Sequence, residues 1–384
     1  MHVLFLPKWY PGRNDPQLGD FLRKQAQAMG LYAQVSVLHV APLNDAGAHG
    51  AQDVEHLDGA WELHCYYRAN TAAWKPWRKL VNLLRWWRTT RRGWHRLVRE
   101  RGMPDSLHAC ILVRPVLAAR WFAWRNKLPY VVNEHSSEYL DGTYAAKGML
   151  FHALSKWLFR NAAVVTTVSP WLGEALAAHG LASSPVIVPN VVPGLERALT
   201  PPGEPGHFFV VADLLDGTKN ISGILRALAT ARERNAGLRL TVIGDGPDRT
   251  MLRDLAVRLA IGEQVRFLGR LSNREVLDHL AGAMAVVVNS NVETFSVVTG
   301  EALALGRPVI ATRCGGPEAF ITPENGILIG PRDDAALATA MLTLASGDLP
   351  HDPSAIRRSV GERFSREAVG RALLTIHQRV TGHG

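Results

Sequence analysis

A run of small apolar residues, 285–288, is followed by a polar loop, a Gly-punctuated helical pattern that stops at Gly306, and a second apolar run at 308–311. Strand, helix and strand in so short a span leave room for a crossover but not for long loops, which commits this part of the chain to a parallel sheet covered by helices. The chain opens in the same way. Residues 2–6 read as a strand, 8–19 as a Pro/Gly/Asn/Asp loop, 20–29 as an amphipathic helix and 35–40 as the next strand. Both patterns belong to doubly wound α/β domains, which bind ligands at the carboxyl ends of their strands. In the later stretch, Glu293 precedes the helix and Glu301 lies about one turn into it, so both carboxylates can face one crevice. Unpaired N–H groups at Phe295, Ser296, Val297 and Val298 suit an anion such as a diphosphate.

The chain has 384 residues, enough for two domains. A Pro/Gly-rich segment, 193–206, marks the linker. The expected division is 1–192 together with a C-terminal helix at 365–384, and 207–364. With 47% hydrophobic and 20% charged residues, the composition excludes a disordered chain. The net charge of +9 is uneven: residues 1–190 hold 22 Lys+Arg against 13 Asp+Glu, and the remainder holds 21 against 21. A basic first half implies an acidic partner, namely a phosphorylated substrate, an anionic membrane or a nucleic acid. The odd, scattered Cys65, Cys110 and Cys314 have no metal-ligand spacing and read as reduced core or loop residues. No secretory leader and no membrane span is evident, so a cytoplasmic location is expected, with surface attachment open.

Residues 74–101 have the most unusual composition. Trp77, Leu80, Val81, Leu84, Trp87, Trp94, Leu97 and Val98 recur at helical steps, while Arg78, Arg85, Arg88, Arg92 and Arg99 fall largely to the other side. This is a basic amphipathic helix, bent or broken near Gly93. It can lie at the inner face of an anionic membrane or pack on a core with its arginines solvated. Nucleic acid is not expected, because no nucleic-acid fold motif accompanies the charge. Strand 129–132 runs into Asn133, Glu134, His135, Ser136 and Ser137, and His135 can exchange a proton with a ligand oxygen or serve structure. Gly19 either lets a ligand approach or only starts the helix. Gly244-Asp245-Gly246 follows a strand, but Arg249 occupies the place of the third glycine, so no nicotinamide cofactor is supported. Lys219 follows the second domain's first strand, at the same sheet edge as Glu293. Walker A, G-x-S-x-G, H-E-x-x-H and Cys/His metal patterns are absent.

In order, the segments PQLGDFLRKQAQAM, PYVVNEHSS, VVTTVSPWL, VPNVV, TVIGDGP, VRFLGRLSNREV, NSNVETFSVVTGEALALGRPVIATRCGGPEAF and NGILI span nearly the whole chain. Together they resemble the family 4 glycosyltransferases of GT-B architecture. The resemblance implies two Rossmann-like domains facing across a cleft, with the last helix, FSREAVGRALLTIHQRV, crossing back to the first. It also implies retaining, metal-independent transfer of a sugar from a nucleotide sugar, UDP- or GDP-linked, to a saccharide or lipid-linked acceptor, as in surface polysaccharide or lipopolysaccharide synthesis. No cofactor is implied, since the nucleotide sugar is a substrate. By the same resemblance, Glu301 meets the ribose and Glu293 the donor sugar. Lys219 neutralises the leaving diphosphate, and Phe295, Ser296, Val297 and Val298 offer backbone N–H groups to the diphosphate or sugar. Thr294 belongs to the same donor-binding set, His135 faces the sugar, and the loop at Gly19 closes over the phosphates. The segment around Arg266, Phe267, Leu268 and Gly269 meets the base through its backbone, and Gly246 belongs to the donor-binding set. One departure stands out: where the family carries an arginine shortly before that lysine, this chain has Asp213, Leu214 and Leu215. The competing expectations are a nucleotide-sugar epimerase or glycoside phosphorylase of similar architecture, and a sugar-nucleotide-binding scaffold.

Overall fold

The structure, a computed structural model, describes residues 1–43, 50–347 and 352–382. Residues 348–351, within the expected second domain, and 383–384, at the end of the expected last helix, lie outside the described residues. The chain divides into two units, Met1–Val191 with Arg366–Gly384, and Val192–Ser365.

The first unit runs β1 (His2–Pro7), α1 (Asp20–Met29), β2 (Gln34–Leu43), β3 (Gln52–Leu57), β4 (Ala60–Arg68), α2 (Lys75–Arg101), β5 (Ser106–Cys110), α3 (Arg114–Asn126), β6 (Tyr130–Glu134), α4 (Met149–Arg160), β7 (Val164–Thr167), α5 (Pro170–Ala178) and β8 (Val186–Ile187). Its sheet has the order β3-β4-β2-β1-β5-β6-β7-β8. Only the β3–β4 pair is antiparallel. All six residues of β1 are buried, as in a central strand covered on both faces. The chain winds from β1 outward through β2 and returns beside β1 as β5. That reversal is a topological switch point, where the loops after β1 and β5 part and leave a crevice.

Helix α2 runs without interruption from Lys75 to Arg101, so the expected break at Gly93 is not there. Gly93 serves close packing instead. A Cβ at this position would lie 2.5 Å from Leu38 Cδ1 and 3.0 Å from Cys65 Sγ. The buried stripe is Trp86, Thr90, Gly93, Trp94 and Leu97, all in the later part of the helix. Trp94 stacks on Phe122 of α3 with centroids 4.1 Å apart. The earlier turns leave Trp74, Trp77, Leu80, Leu83 and Leu84 exposed.

The second unit runs β9 (His207–Val211), α6 (Asp216–Lys219), α7 (Ile221–Arg232), β10 (Arg239–Ile243), α8 (Arg249–Arg258), β11 (Val265–Gly269), α9 (Asn273–Ala281), β12 (Ala285–Val288), α10 (Val297–Ala304), β13 (Val309–Thr312), β14 (Gly326–Ile329), α11 (Asp334–Ser346) and α12 (Pro353–Phe364). Its sheet is parallel throughout, in the order β11-β10-β9-β12-β13-β14. Phe208, Val210, Val242, Ala285, Val287 and Ile310 bury the strands against α7, α8 and α11. The switch point here lies between β9 and β12. Residues 193–206, read from sequence as a linker, lie along this unit: Thr200 Oγ1 donates to Ala281 O at 2.9 Å, and the buried Arg307 donates to Thr200 O at 2.7 Å.

The last helix, α13 (Arg366–Thr381), packs on α1 of the first unit, as the resemblance implies. Arg366 donates to Asp58 O at 3.0 Å, and His377 Nδ1 lies 2.8 Å from Ser106 Oγ on β5.

Candidate active site

The loops after β9 and β12 flank the second switch point and bring Lys219 and Glu293 together. Lys219 ends the single-turn helix α6 rather than lying in an open loop. Its Nζ donates to Glu293 Oε1 at 2.6 Å, and Ser290 Oγ donates to the same oxygen at 2.7 Å. The two side chains keep 23% and 15% of their surface exposed, so a ligand can reach both. Burial works against the Lys219 charge, but the Glu293 carboxylate outweighs it, with Asp213 adding to the effect, and the ammonium is held above its ordinary range. The position where the family has an arginine thus holds an acid within electrostatic reach of Lys219, while Leu214 is buried in the core and Leu215 is exposed.

Backbone ties fix this pair. Asn291 N donates to Thr218 O at 2.7 Å and its Nδ2 to Gly217 O at 2.8 Å, binding the β12 loop to α6. Glu293 N donates to Cys314 O at 3.0 Å, and Gly316 N donates back to Glu293 O at 2.9 Å. Thr294 follows, half-buried, and the Phe295 ring turns into an aromatic cluster with Phe320 and Phe364, centroids 4.8 and 5.8 Å away. What Phe295 has left for a ligand is its backbone. Ser296 then takes a left-handed conformation, φ 68°, which costs a non-glycine residue on the order of 1–3 kcal/mol. Its hydroxyl lies 2.7 Å from Thr299 Oγ1, and no side chain caps α10. The first N–H groups of that helix, beginning at Val297, are therefore aimed outward with the positive end of its dipole. Glu301 is buried one turn further in.

Gly246 lies in the loop after β10, while Arg266, Phe267 and Leu268 lie within β11, Arg266 beside Thr241 and Phe267 beside Val242 of β10. Gly244 N donates to Gly269 O at 2.8 Å, and Leu214 N donates to Asp245 O at 3.0 Å. A Cβ on Gly244 would fall 1.8 Å from Ala212 O, and one on Gly246 would fall 2.5 Å from Leu214 O. Both glycines are thus required by contact between two loops. Residues 212–219 form the shared wall, touching Gly246 on one side and Glu293 on the other. Arg266 is exposed on edge strand β11, and Phe267 lies under the Arg253 guanidinium at 5.7 Å.

The remaining expected residues lie in the first unit. Gly19, φ 69°, precedes α1, and a Cβ there would lie 2.4 Å from Trp9 O. Phe21, two residues on, sits 5.0 Å from the His135 ring. His135 is buried with neither ring nitrogen hydrogen-bonded among the described residues, and burial lowers its pKa to about 3, so the ring is neutral. Its loop is organised by Glu134, which sequence reading noted only as part of a polar cluster. Glu134 Oε1 accepts from His135 N and Ser136 N, both at 2.9 Å, and Oε2 accepts from Leu112 N and Tyr139 Oη, both at 3.1 Å. Ser290 was likewise missed, and its sequence signal is only that it lies three residues before Glu293.

Glu55, Glu62 and His64 lie close enough together to suggest a metal site. Arg23 already bridges the two carboxylates, at 3.1 Å from Glu55 and 2.7 Å from Glu62, so the group does not fit a cation. The three cysteines are buried and free. No described helix is long and apolar enough to cross a membrane.

Two family models match in succession, the glycosyl transferase 4-like domain over residues 22–191 and glycosyl transferases group 1 over residues 205–347. Glycogen synthase of Mycobacterium tuberculosis is 29% identical over 269 residues, covering 66% of this chain and 62% of that protein. The match therefore spans less than two thirds of that relative's length. Among solved structures, the lipopolysaccharide outer core galactosyltransferase WaaB superposes with a TM-score of 0.70 at 18% identity, over 98% of this chain and 99% of that one. Anabaena HepE in complex with UDP and glucose gives 0.70 at 17% identity, over 98% of each. At that identity these structures share the fold, which is GT-B.

Proposed function

We propose, for a chain that belongs to the group 1 glycosyl transferase family, that it transfers a sugar from a nucleotide sugar to a saccharide or lipid-linked acceptor with retention at the anomeric carbon. The observation that carries this reading is the Lys219–Glu293 pair at 2.6 Å, solvent-reachable and beside the uncapped start of α10. A departing nucleoside diphosphate gains negative charge as the glycosidic bond breaks. Lys219 and the outward N–H groups of α10 meet that charge from a preorganised position, which is where such groups accelerate a reaction most. Glu293, oriented by Lys219 and Ser290, takes the sugar hydroxyls, and Glu301 takes the ribose. Backbone groups of Arg266, Phe267 and Leu268 take the base, with the Gly246 turn in the same donor site. Within the first unit, His135 is neutral and keeps two ring nitrogens for a ligand, a buried deficit of roughly 1–3 kcal/mol per group. The leaving phosphate oxygen accepts the acceptor's proton, so no protein base and no metal is needed.

The acceptor is met at an anionic membrane surface on the cytoplasmic side, in surface polysaccharide or lipopolysaccharide assembly. Supporting this are the exposed Trp74, Trp77, Leu80 and Leu84 of α2, flanked by Lys75, Arg78, Lys79 and Arg85. Product analysis with a panel of nucleotide sugars and saccharide acceptors tests the reaction. Transfer with retained configuration is expected in the wild type, and Lys219→Ala is expected to lower kcat by about 10²–10³. Undiminished transfer by Lys219→Ala refutes the site assignment.

A further inference from the structure

The first unit contains a cavity of its own. At the switch point between β1 and β5, the loop after β1, the start of α3 and the flank of α2 enclose about 510 Å³. Clefts of ~300–1,000 Å³ hold small-molecule ligands, and ligands of doubly wound sheets gather at such a point. Three cations line it, Lys8, Arg13 and Arg114, against one carboxylate, Asp15. Arg13 is held by Asp53 through bonds of 2.7 and 2.5 Å. The partners of the other two cations are neutral. Lys8 Nζ donates to Leu112 O at 3.0 Å, and Arg114 donates to Tyr67 Oη at 3.1 Å while lying 5.8 Å from the Trp86 ring centre.

His39, 5% exposed, also lines this cavity. Its Nδ1 lies 3.2 Å from His64 Nδ1, which leaves Nε2 for a ligand, and burial holds the ring neutral. Tyr66 and Trp86 supply flat apolar walls, of the kind against which the C–H face of a sugar packs. Two cations without a carboxylate partner among the described residues, facing a partly enclosed and largely apolar space, favour an anion, because desolvation strengthens the attraction there.

We infer that this pocket binds a negatively charged sugar, phosphorylated or carboxylated, gripped at its anionic group by Lys8 and Arg114. Naming that sugar as the acceptor rests on the transferase reading, but the binding itself does not.

Isothermal titration of the full chain with glucose 6-phosphate, glucuronate and glucose tests this directly. At least one of the two anions is expected to bind about ten-fold or more tightly than glucose, and which one does so separates a phosphoryl from a carboxyl ligand. The double variant Lys8→Gln/Arg114→Gln is expected to lose that preference, Arg114→Lys to retain most of it, and Lys219→Ala to leave it unchanged. Raising the ionic strength is expected to weaken the anion and spare glucose, a readout in the wild type that survives if the double variant fails to fold. No preference for either anion, a preference intact in the folded double variant, or loss in Lys219→Ala overturns the inference. Nucleotide-sugar binding separates the two readings. In the wild type, nucleotide-sugar binding without an anion preference means that only the pocket falls, and an anion preference without nucleotide-sugar binding means that only the donor site falls. In the double variant, nucleotide-sugar binding that persists shows that the protein is folded.

Discussion

The two sheets treat ionisable side chains in opposite ways. In the first, Glu62, Glu134, His39, His64, His108, His135 and His377 are buried, and the sheet absorbs them by internal bonding or by keeping them neutral. Glu62 shows how. Burial alone would raise its pKa, but bonds from His64, Tyr10 and Arg23 hold it below the ordinary carboxylate range. In the second, the central groups, Lys219 and Glu293, form a single pair at the switch point and remain reachable. A charge satisfied from all sides stabilises a fold or sets a neutral surface, whereas one matched by a single partner can be drawn to a ligand. On the proposed transferase reading, the Lys219–Glu293 pair is the group placed to meet charge that moves in the reaction.

The largest effect that sharpens this contrast is expected at Glu134. Glu134→Ala strips the acceptors from three backbone N–H groups and from Tyr139, and is expected to destabilise the first unit by about 3–5 kcal/mol, read by urea unfolding. Lys219→Ala is expected to do the reverse, costing about 2.7–4 kcal/mol in the transition state while changing stability by under about 1 kcal/mol, read by kinetics and melting together. A fold lost with Lys219 would erase the distinction.

The next effect is acid sensitivity. Burial holds His39, His135 and His377 at about 3, against about 6.5 when unfolded. Between those values the unfolded chain binds more protons, so the contribution is complete above about pH 6.5 and declines as pH falls. The decline reaches about 1.4 kcal/mol per pH unit for each histidine. Urea midpoints taken from about pH 7 to pH 5 are expected to fall, with the first unit opening first; flat midpoints would show these rings to be solvated. The smallest stability effect is expected from Trp77→Ser with Leu84→Ser on the exposed part of α2. Stability should stay within about 0.5 kcal/mol while co-sedimentation with anionic liposomes drops. Unchanged sedimentation would leave that face with no membrane role.

Much of this was readable in the sequence where local pattern and tertiary packing agree. Helix 20–29 and strand 285–288 lie where periodicity puts them, because each buries one continuous apolar set. The β3–β4 hairpin was missed although Asp58-Gly59, both at positive φ, is a strong turn signal, since β3 carries Asp53, Glu55 and His56 and is only partly buried. The close packing at Gly93 was not read from the sequence because a glycine's meaning depends on what stands opposite it, and Leu38 is 55 residues away. In the candidate site, the residue types of Lys219, Glu293 and Glu301 stood out, but their contacts did not. Ser290 acts through one hydrogen bond and Glu134 through four, and neither leaves a periodic trace. The cavity at the first switch point joins residues 6–118 and has no motif at all.

The central claim is that the carboxyl edge of the second sheet binds a nucleotide sugar through Lys219 and Glu301. Thermal unfolding with UDP- and GDP-sugars, on the wild type, Lys219→Ala and Glu301→Ala, tests it most directly. At about 100 times the dissociation constant, one donor should stabilise the wild type by about 2.7 kcal/mol, and both variants should lose most of that gain. Equal stabilisation of all three proteins, or none by any nucleotide sugar, would contradict the account.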